Sequence, residues 1–349
     1  MPGSGYNLLL RVFHRLSVGS KAISALSFDI EKQLFLRKDN SCLTNGNHVF
    51  ISGLARSGTT ALINYLNEHS EFVSLTYKDM PFILAPNLWN KIAFNLKKTP
   101  LKERAHNDSI FINSESPEAF DEIFWKINAN EKYILKDRLL INKLSSDILE
   151  QYKLYIDLIL QKNYQGKRLR YLSKNNNNVL RFDSILQKFP DSQLIIPFRD
   201  PLQHALSLLN QHNHFCIIQQ QDRFLLNYMD WIGHYEFGLG QKPFYLNNTE
   251  IFEQMLGYDK QDINYWLLTW LNYYAYVLKN YSEKWNLFSH ERFCNDPNSM
   301  MSEILTKLNM EKSTLVFTPF NLKFRTCNNV NEQIIDKCMD VYNSLLELS

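Results

Sequence analysis

The stretch that decides the fold is Val49-Phe-Ile-Ser-Gly-Leu-Ala-Arg-Ser-Gly-Thr-Thr60. A short apolar run leads into a loop bounded by Gly53 and Gly58, and a helix is predicted from Thr59 onward. Strand, glycine loop and helix in this order are typical of a P-loop, whose backbone N–H groups bind phosphate at the helix N-terminus. Thr59 stands where a nucleotide triphosphatase has its lysine. The loop therefore predicts an anion site without the usual cation for a β- or γ-phosphate, and Arg56 is the cation inside it.

The composition is that of a globular protein without a strong charge bias. The 349 residues are 45% hydrophobic and 21% charged, and 38 basic against 36 acidic residues give a net charge of +2. This balance argues against nucleic acid as a partner, so an anion would have to be bound by a local cluster. The five cysteines form no C-x-x-C pair, which favours a reducing compartment. No apolar run is long enough for a signal core or a membrane span, and we expect a cytoplasmic protein.

Buried strands and helices alternate along the chain after an amphipathic helical lead-in over residues 1–46. The predicted strands are residues 48–52, 72–76, 168–173 and 193–198. The predicted helices are residues 59–68, 131–162, 179–189, 200–209, 266–281 and 331–348, and Ser116-Pro117-Glu118 predicts another helix start. This alternation predicts an α/β fold with a P-loop-like parallel sheet flanked by helices. We expect a single domain over residues 1–349, with a cofactor-binding core at about 47–210 and helical segments at about 211–349.

A second signal follows the predicted strand at 193–198. Arg199 lies where that strand ends, Asp200-Pro201 begins a helix, and Ser207 lies about two turns along it. Ligands of open α/β sheets bind at the carboxyl ends of the strands, so Arg199 is positioned to bind a phosphate, which suits its guanidinium group. The residues alone also allow a simpler interpretation, in which Arg199 and Asp200 form a local ion pair that caps the helix.

Together, the two signals resemble the sulfotransferase family of bacterial type, which uses 3′-phosphoadenosine 5′-phosphosulfate (PAPS). Arg56-Ser-Gly-Thr-Thr60 is similar to the 5′-phosphosulfate loop of that family, and Arg199 followed by Ser207 is similar to its 3′-phosphate motif. The resemblance covers about residues 47–210, and a weaker similarity is present at Ser289–Pro297. It implies that no metal is needed. It also implies a 5′-phosphosulfate site of Arg56, Ser57, Gly58, Thr59 and Thr60, and a 3′-phosphate site of Arg199 and Ser207.

The resemblance further implies a role for Lys174, at the end of the strand predicted at 168–173. It resembles the lysine that many family members direct at the oxygen bridging phosphate and sulfate, where a cation neutralises charge developing on the leaving phosphate. Residues 161–182 contain six Lys or Arg and no acid, which suits an anion. A solvated basic face is the alternative.

A base should accept the proton of the acceptor as it attacks sulfur. Asp79 is the first candidate, because the carboxylate of one branch of the family falls near it, and His106, with Asp108 beside it, is the second. For each of these, an ordinary hydrogen-bonded loop residue is the alternative. Glu118 and Glu122 are four residues apart near the predicted helix start and could shape an acceptor pocket, although acids in a first turn also complement the helix dipole.

Two other functions stay open on the sequence. A P-loop kinase using ATP and Mg²⁺ would need the missing loop lysine, and a catalytically inactive nucleotide-binding scaffold would keep the fold without turnover. Gln211-His-Asn-His214 does not have metal-ligand spacing, since histidines two apart diverge on a helix. The aromatic stripe at 266–277 is predicted to be core. No motif identifies the acceptor, so a sugar, a lipid, a peptide and a small phenol are all compatible with the sequence.

Overall fold

The computed structural model of the chain describes residues 8–37, 39–93, 102–103, 111–112, 114–129, 132–311, 319, 322 and 324–349. Its strands are β1 Val49–Ile51, β2 Phe72–Val73, β3 Lys102–Glu103, β4 Phe111–Ile112, β5 Leu139–Leu140, β6 Arg170–Lys174, β7 Gln193–Phe198, β8 Phe244–Tyr245 and β9 Trp285–Ser289. Its helices are α1 Leu8–Ser17, α2 Lys21–Phe35, α3 Thr59–Asn67, α4 Pro86–Ile92, α5 Glu122–Asn128, α6 Ser146–Asn163, α7 Phe182–Lys188, α8 Pro201–Gln221, α9 Arg223–Trp231, α10 Thr249–Leu256, α11 Ile263–Lys279, α12 His290–Asn295, α13 Pro297–Lys307 and α14 Glu332–Leu348.

Five strands form one sheet in the order β2-β6-β1-β7-β9, and every neighbouring pair is parallel. Successive residues of β1 contribute to different cores, with Phe50 in one hydrophobic cluster and Val49 and Ile51 in the other. Both faces of the sheet are therefore covered, as a parallel sheet requires. The α/β fold with a parallel sheet flanked by helices and preceded by N-terminal helices is confirmed.

The strand order creates a crevice at the carboxyl ends of β1 and β7. The chain leaves β1 toward β2 on one side of the sheet and leaves β7 toward β9 on the other. Loops that depart in opposite directions open a gap between two adjacent strands, which is where open α/β sheets bind ligands. The glycine loop follows β1 and Arg199 follows β7, so the fold brings the two sequence signals to the same crevice.

Two predicted helices are wrong in their bounds. Ser116 and Pro117 do not begin a helix, because Pro117 forms an isolated antiparallel bridge with Thr76 and the helix begins only at Glu122. Glu118 thus precedes the helix and does not share a helical face with Glu122. The predicted helix over 131–162 begins only at Ser146, since Leu139–Leu140 pairs with β8. Tertiary pairing overrides local helix propensity in both places.

The aromatic stripe is core, as predicted. Five side chains of α11 spaced along one face are fully buried: Trp266, Trp270, Tyr273, Tyr274 and Val277. Two of them also support the sheet, because Tyr274 donates to the carbonyl of Pro197 (2.8 Å) and Trp270 donates to the carbonyl of Arg199 (3.1 Å). The helix thereby fixes the backbone at the end of β7, where the crevice begins.

Candidate active site

The glycine loop has two residues in the left-handed region. Arg56 has φ +74° and Gly58 has φ +97°, and α3 begins at Thr59 directly after Gly58. Within this turn the chain reverses, and α3 leaves with its N-terminus facing the crevice. The side chains of Thr59 and Thr60 are buried in the first turn. The backbone N–H groups of the first turn and the positive end of the helix dipole make this terminus suited to an anion.

Ser57 maintains the shape of the loop. Its hydroxyl (2.8 Å) and its backbone N–H (3.2 Å) both donate to the carbonyl of Leu54, and the side chain is fully buried. A side chain at Gly53 would crowd this arrangement, because an added Cβ would lie 2.8 Å from Ser57 Oγ and 3.0 Å from the carbonyl of Pro197. The close approach of the loop to β7 therefore requires glycine at position 53.

Arg56 and Ser207 are 151 positions apart in the chain and adjacent in space. The Nε of Arg56 donates to Ser207 Oγ at 3.3 Å. This contact joins the loop after β1 to α8, which follows β7. The residues predicted for two different phosphate groups thus line one continuous site.

Arg199 projects a buried donor into this region. Within the described parts of the chain, its Nε is buried and has no hydrogen-bond partner. Burial lowers the pKa of Arg199; the nearby Arg56 adds to this effect and Glu291 opposes it. Buried guanidinium donors are normally satisfied, so an unpaired one is suited to an anionic ligand.

His290 belongs to the same site, although no sequence motif assigns it a role. It follows β9, and its Nδ1 lies 2.9 Å from where a Cβ on Gly58 would be, so the ring packs directly against the loop. Burial, with the charges of Arg199 and Arg56, lowers the pKa of His290 to about 3. The imidazole is neutral at physiological pH. The signal that could have found it is the segment at 289–297, which resembled the family only weakly.

Glu291 connects the site to the last helix. One carboxylate oxygen accepts from the backbone N–H of Asp200 (3.0 Å) and the other accepts from the hydroxyl of Tyr342 in α14 (3.1 Å). Burial raises the pKa of Glu291, while these hydrogen bonds and Arg199 lower it. The carboxylate thereby supports the turn between β7 and α8, which carries Arg199.

Lys174 lies on the other side of the glycine loop. It is the last residue of β6 and the register partner of Ile51, after which the loop begins. Its Nζ lies 2.6 Å from Glu118 Oε1, and both side chains are largely buried. Tyr77 also donates to Glu118, at 3.4 Å. A carboxylate and an ammonium group are thus paired at the carboxyl edge of the sheet, beside the loop.

A buried polar network lies beneath this pair. Asp121 accepts from Ser173 (2.6 Å) and from Asn175 (3.0 Å), the two neighbours of Lys174 in the chain. Glu122 accepts from Asn175 (2.7 Å) and forms a bidentate pair with Arg181 (3.1 Å for both bonds). Burial raises the pKa of Asp121 to about 6. The two adjacent acids fix the backbone on both sides of Lys174.

The two predicted bases lie in different situations. Asp79 is buried, its Oδ2 accepts from the backbone N–H (2.9 Å) and the hydroxyl (3.1 Å) of Thr76, and its Oδ1 pairs with Lys162. Both of its oxygens therefore have structural partners. His106 and its neighbour Asp108 lie outside the described residues. Neither assignment is tested by these contacts, and both stay predictions.

Among the residues that the structure describes, no group of three or more His, Cys, Asp or Glu residues has an arrangement that could hold a metal ion. None of the described helices is long and apolar enough to cross a membrane.

The profile of the sulfotransferase family matches residues 48–236, more than half of the chain. The chain therefore belongs to the sulfotransferase family. The match includes β1, the glycine loop, Lys174, Arg199 and Ser207, but it ends before His290. Among curated proteins, none matches this chain.

Solved structures share the fold at low sequence identity. Sulfotransferase STF9 from Mycobacterium avium has a TM-score of 0.52 and 12% identity, over 99% of this chain and 87% of that one. Sulfotransferase STF1 from Mycobacterium tuberculosis H37Rv has a TM-score of 0.46 and 14% identity, over 89% of this chain and 80% of that one. At such identities the likeness to STF9 concerns the fold.

Proposed function

We propose that this protein transfers the sulfuryl group of PAPS to a hydroxyl or amine of an acceptor and releases 3′-phosphoadenosine 5′-phosphate. The observation that carries the proposal is the contact between Arg56 and Ser207 beside the buried, unpaired Nε of Arg199. These groups form a cationic site that continues from the glycine loop to the start of α8. A donor with one phosphate at C5′ and another at C3′ matches such a site.

The binding roles follow from position. The N-terminus of α3 and Arg56 would hold the 5′-phosphosulfate, and Arg199 with Ser207 would hold the 3′-phosphate. The absence of a loop lysine fits a donor without a γ-phosphate. Ser57 contributes through the shape of the loop, since both of its donors are used within it.

The transfer needs one bond to form and one to break. The oxygen or nitrogen of the acceptor attacks sulfur, and the bond between sulfur and the bridging oxygen breaks with its electron pair going to the phosphate. Lys174, beside the first residues of the loop, would stabilise the charge that develops on that oxygen. The acceptor loses its proton to a base in the same step.

We assign the base to Glu118 in preference to Asp79. Glu118 pairs with Lys174, so the group that accepts the proton lies next to the group that stabilises the leaving phosphate. Asp79 accepts from Thr76 and pairs with Lys162, and its side chain is more deeply buried than that of Glu118, at 2% against 9% exposed. Proton transfer to Glu118 would also weaken its pairing with Lys174, which would free the ammonium group for the phosphate as charge develops there.

Calorimetry with 3′-phosphoadenosine 5′-phosphate and with AMP tests the donor site. The wild type should bind the bisphosphate more tightly, and Arg199→Ala should lose about 10- to 100-fold in affinity for it while binding AMP almost unchanged, because a charged hydrogen bond is worth about 1.5–3 kcal/mol. Arg292→Ala is the matched control, since that exposed arginine pairs with Glu303. An Arg199→Ala protein that still prefers the bisphosphate as strongly as the wild type would refute the 3′-site. Stabilisation by ATP with Mg²⁺, but not by the bisphosphate, would instead favour a kinase.

Radiolabelled donor and a panel of sugars, lipids, peptides and phenols test the transfer itself. Once an acceptor is found, Glu118→Gln should keep bisphosphate affinity and lose about 100-fold or more in turnover, whereas Asp79→Asn should keep most turnover and lose stability. The reverse pattern would assign the base to Asp79. Transfer to no acceptor, with the donor bound normally, would favour the inactive scaffold.

A further inference from the structure

The two N-terminal helices expose apolar side chains that a helix at the protein surface normally buries. On α1, Leu8, Val12 and Leu16 form a stripe with exposures of 79%, 47% and 53%, while His14 and Ser17 on the opposite side are buried. Amphipathic helices of globular proteins normally turn their apolar side inward. Here the apolar side of α1 faces solvent and its polar side faces the protein.

The second helix shows part of this pattern. Leu26 and Leu34 of α2 are 59% and 63% exposed, and Ser24, Ser27 and Glu31 are buried. Phe28 on the same buried side packs in the hydrophobic core, so the inverted orientation is a feature of α1. The spaced stripe of α1 differs from the scattered exposed apolar residues that any surface carries.

Specific polar contacts fix both orientations. Arg11 of α1 forms a two-bond ion pair with Asp222 at 3.0 and 2.7 Å. Ser24 donates to the carbonyl of Ser17 at 2.7 Å, which ties α2 to the end of α1. Glu31 accepts from the backbone N–H groups of Asn87 (2.8 Å) and Leu88 (2.9 Å) at the start of α4. Turning either helix to bury its exposed apolar residues would break these bonds, so their outward position is a built feature.

The apolar surface extends beyond α1. The ring of Phe13 contacts Phe82 and Trp89, with centroids 5.7 and 5.9 Å apart, and Ile92 at the end of α4 is also exposed. We call the exposed set Leu8, Val12, Phe13, Leu16 and Ile92 the outward stripe.

Charge identifies the kind of partner. The first acid of the chain is Asp29, and Arg11, Arg15 and Lys21 precede it. Arg15 is exposed on α1 beside the stripe. On α1, apolar side chains are flanked by an exposed basic residue and no acid is present, which matches the anionic surface of a lipid bilayer.

We propose that α1 attaches this protein to an anionic membrane surface, with the outward stripe inserted among the lipids and Arg15 at the headgroups. The helix would lie in the interface and would not cross it. This inference is independent of the donor site, because none of its residues belongs to the crevice.

Co-sedimentation of the full chain with vesicles tests this. The wild type should bind phosphatidylcholine vesicles that contain phosphatidylserine and should bind pure phosphatidylcholine at least about fivefold more weakly, since each basic residue near such a surface contributes about that factor. The variant with Leu8→Ser, Val12→Ser and Leu16→Ser should lose binding to both. The matched control replaces three exposed apolar residues of other helices and loops by Ser: Ile217, Leu239 and Leu256.

Each other outcome overturns the inference. If the wild type does not bind anionic vesicles, or the stripe variant binds as well as the control, the stripe is not a membrane surface. If the stripe variant changes a dimer to a monomer in sedimentation velocity and lipid binding is absent, a second copy of the chain covers the stripe. Equal melting temperatures of the two triple variants ensure that lost binding is not lost folding.

Discussion

Replacing Gly58 by alanine perturbs the glycine loop in two separable ways. The residue has φ +97°, and its added Cβ would lie 2.9 Å from the Nδ1 of His290. The left-handed backbone costs an alanine about 1–2 kcal/mol, and displacing a buried ring adds about 1–3 kcal/mol. We therefore expect Gly58→Ala to lower the free energy of unfolding by about 2–5 kcal/mol.

Gly166 provides the control for the backbone part. Its φ is +88° and an added Cβ would meet nothing within 4 Å. Gly166→Ala should therefore lose only about 1–2 kcal/mol. The contact with His290 is isolated by the double variant Gly58→Ala, His290→Ala, which should lose about 1–3 kcal/mol less than the sum of the two single changes.

Urea unfolding of the four variants and the wild type measures these differences. The reasoning is refuted if Gly58→Ala loses no more than Gly166→Ala, or if the effects of Gly58→Ala and His290→Ala are additive. Either result would mean that His290 does not press against the loop. The first would leave backbone strain as the only reason for glycine at position 58.

Two further predictions concern buried charge. Three histidines have a pKa lowered to about 3 by burial: His48, His204 and His290. Below the pKa of an unfolded histidine, the unfolded state binds more protons than the folded state, so each of the three should lower the free energy of unfolding by about 1 kcal/mol from about pH 7 to pH 5.5. Asp121, with its raised pKa, offsets about 1 kcal/mol of this loss. A urea midpoint that stays constant or rises over this range would contradict the burial of the histidines. Glu122→Gln should lose about 3–5 kcal/mol because it leaves the buried charge of Arg181 unpaired, whereas Glu150→Gln, in an exposed pair with Lys188, should lose less than about 1 kcal/mol. Equal losses in thermal or urea unfolding would argue against the buried network.

Local patterns in the chain were enough to predict the strands and the glycine loop of the parallel core. The strand predicted at 193–198 has those bounds in the structure, and the predicted strand, loop and helix around Gly58 are present. Each depends on residues close together in sequence, such as an apolar run or a glycine before a helix. The contact between Arg56 and Ser207 depends in addition on the pairing of β1 with β7, which these patterns do not predict.

Contacts set by distant pairing could not be predicted. Pro117 has the position of a first helical residue, but the bridge to Thr76 makes the segment extended and brings Glu118 to Lys174. His290 reaches the loop only because β9 pairs with β7. In both cases the decisive neighbour lies far along the chain, where residue spacing carries no information.

The position of β9 means that the residues matched to the family do not contain the whole candidate site. Residues matched to the family end at 236, whereas β9 begins at Trp285 and forms five register pairs with β7. Without β9, β7 would become an open sheet edge with unpaired backbone groups. His290 and Glu291 follow β9, so the part of the chain that closes the sheet also adjusts the charge around Arg199. Proteins that match the profile over these residues can therefore differ in the charge around this arginine through sequence that the family profile does not cover.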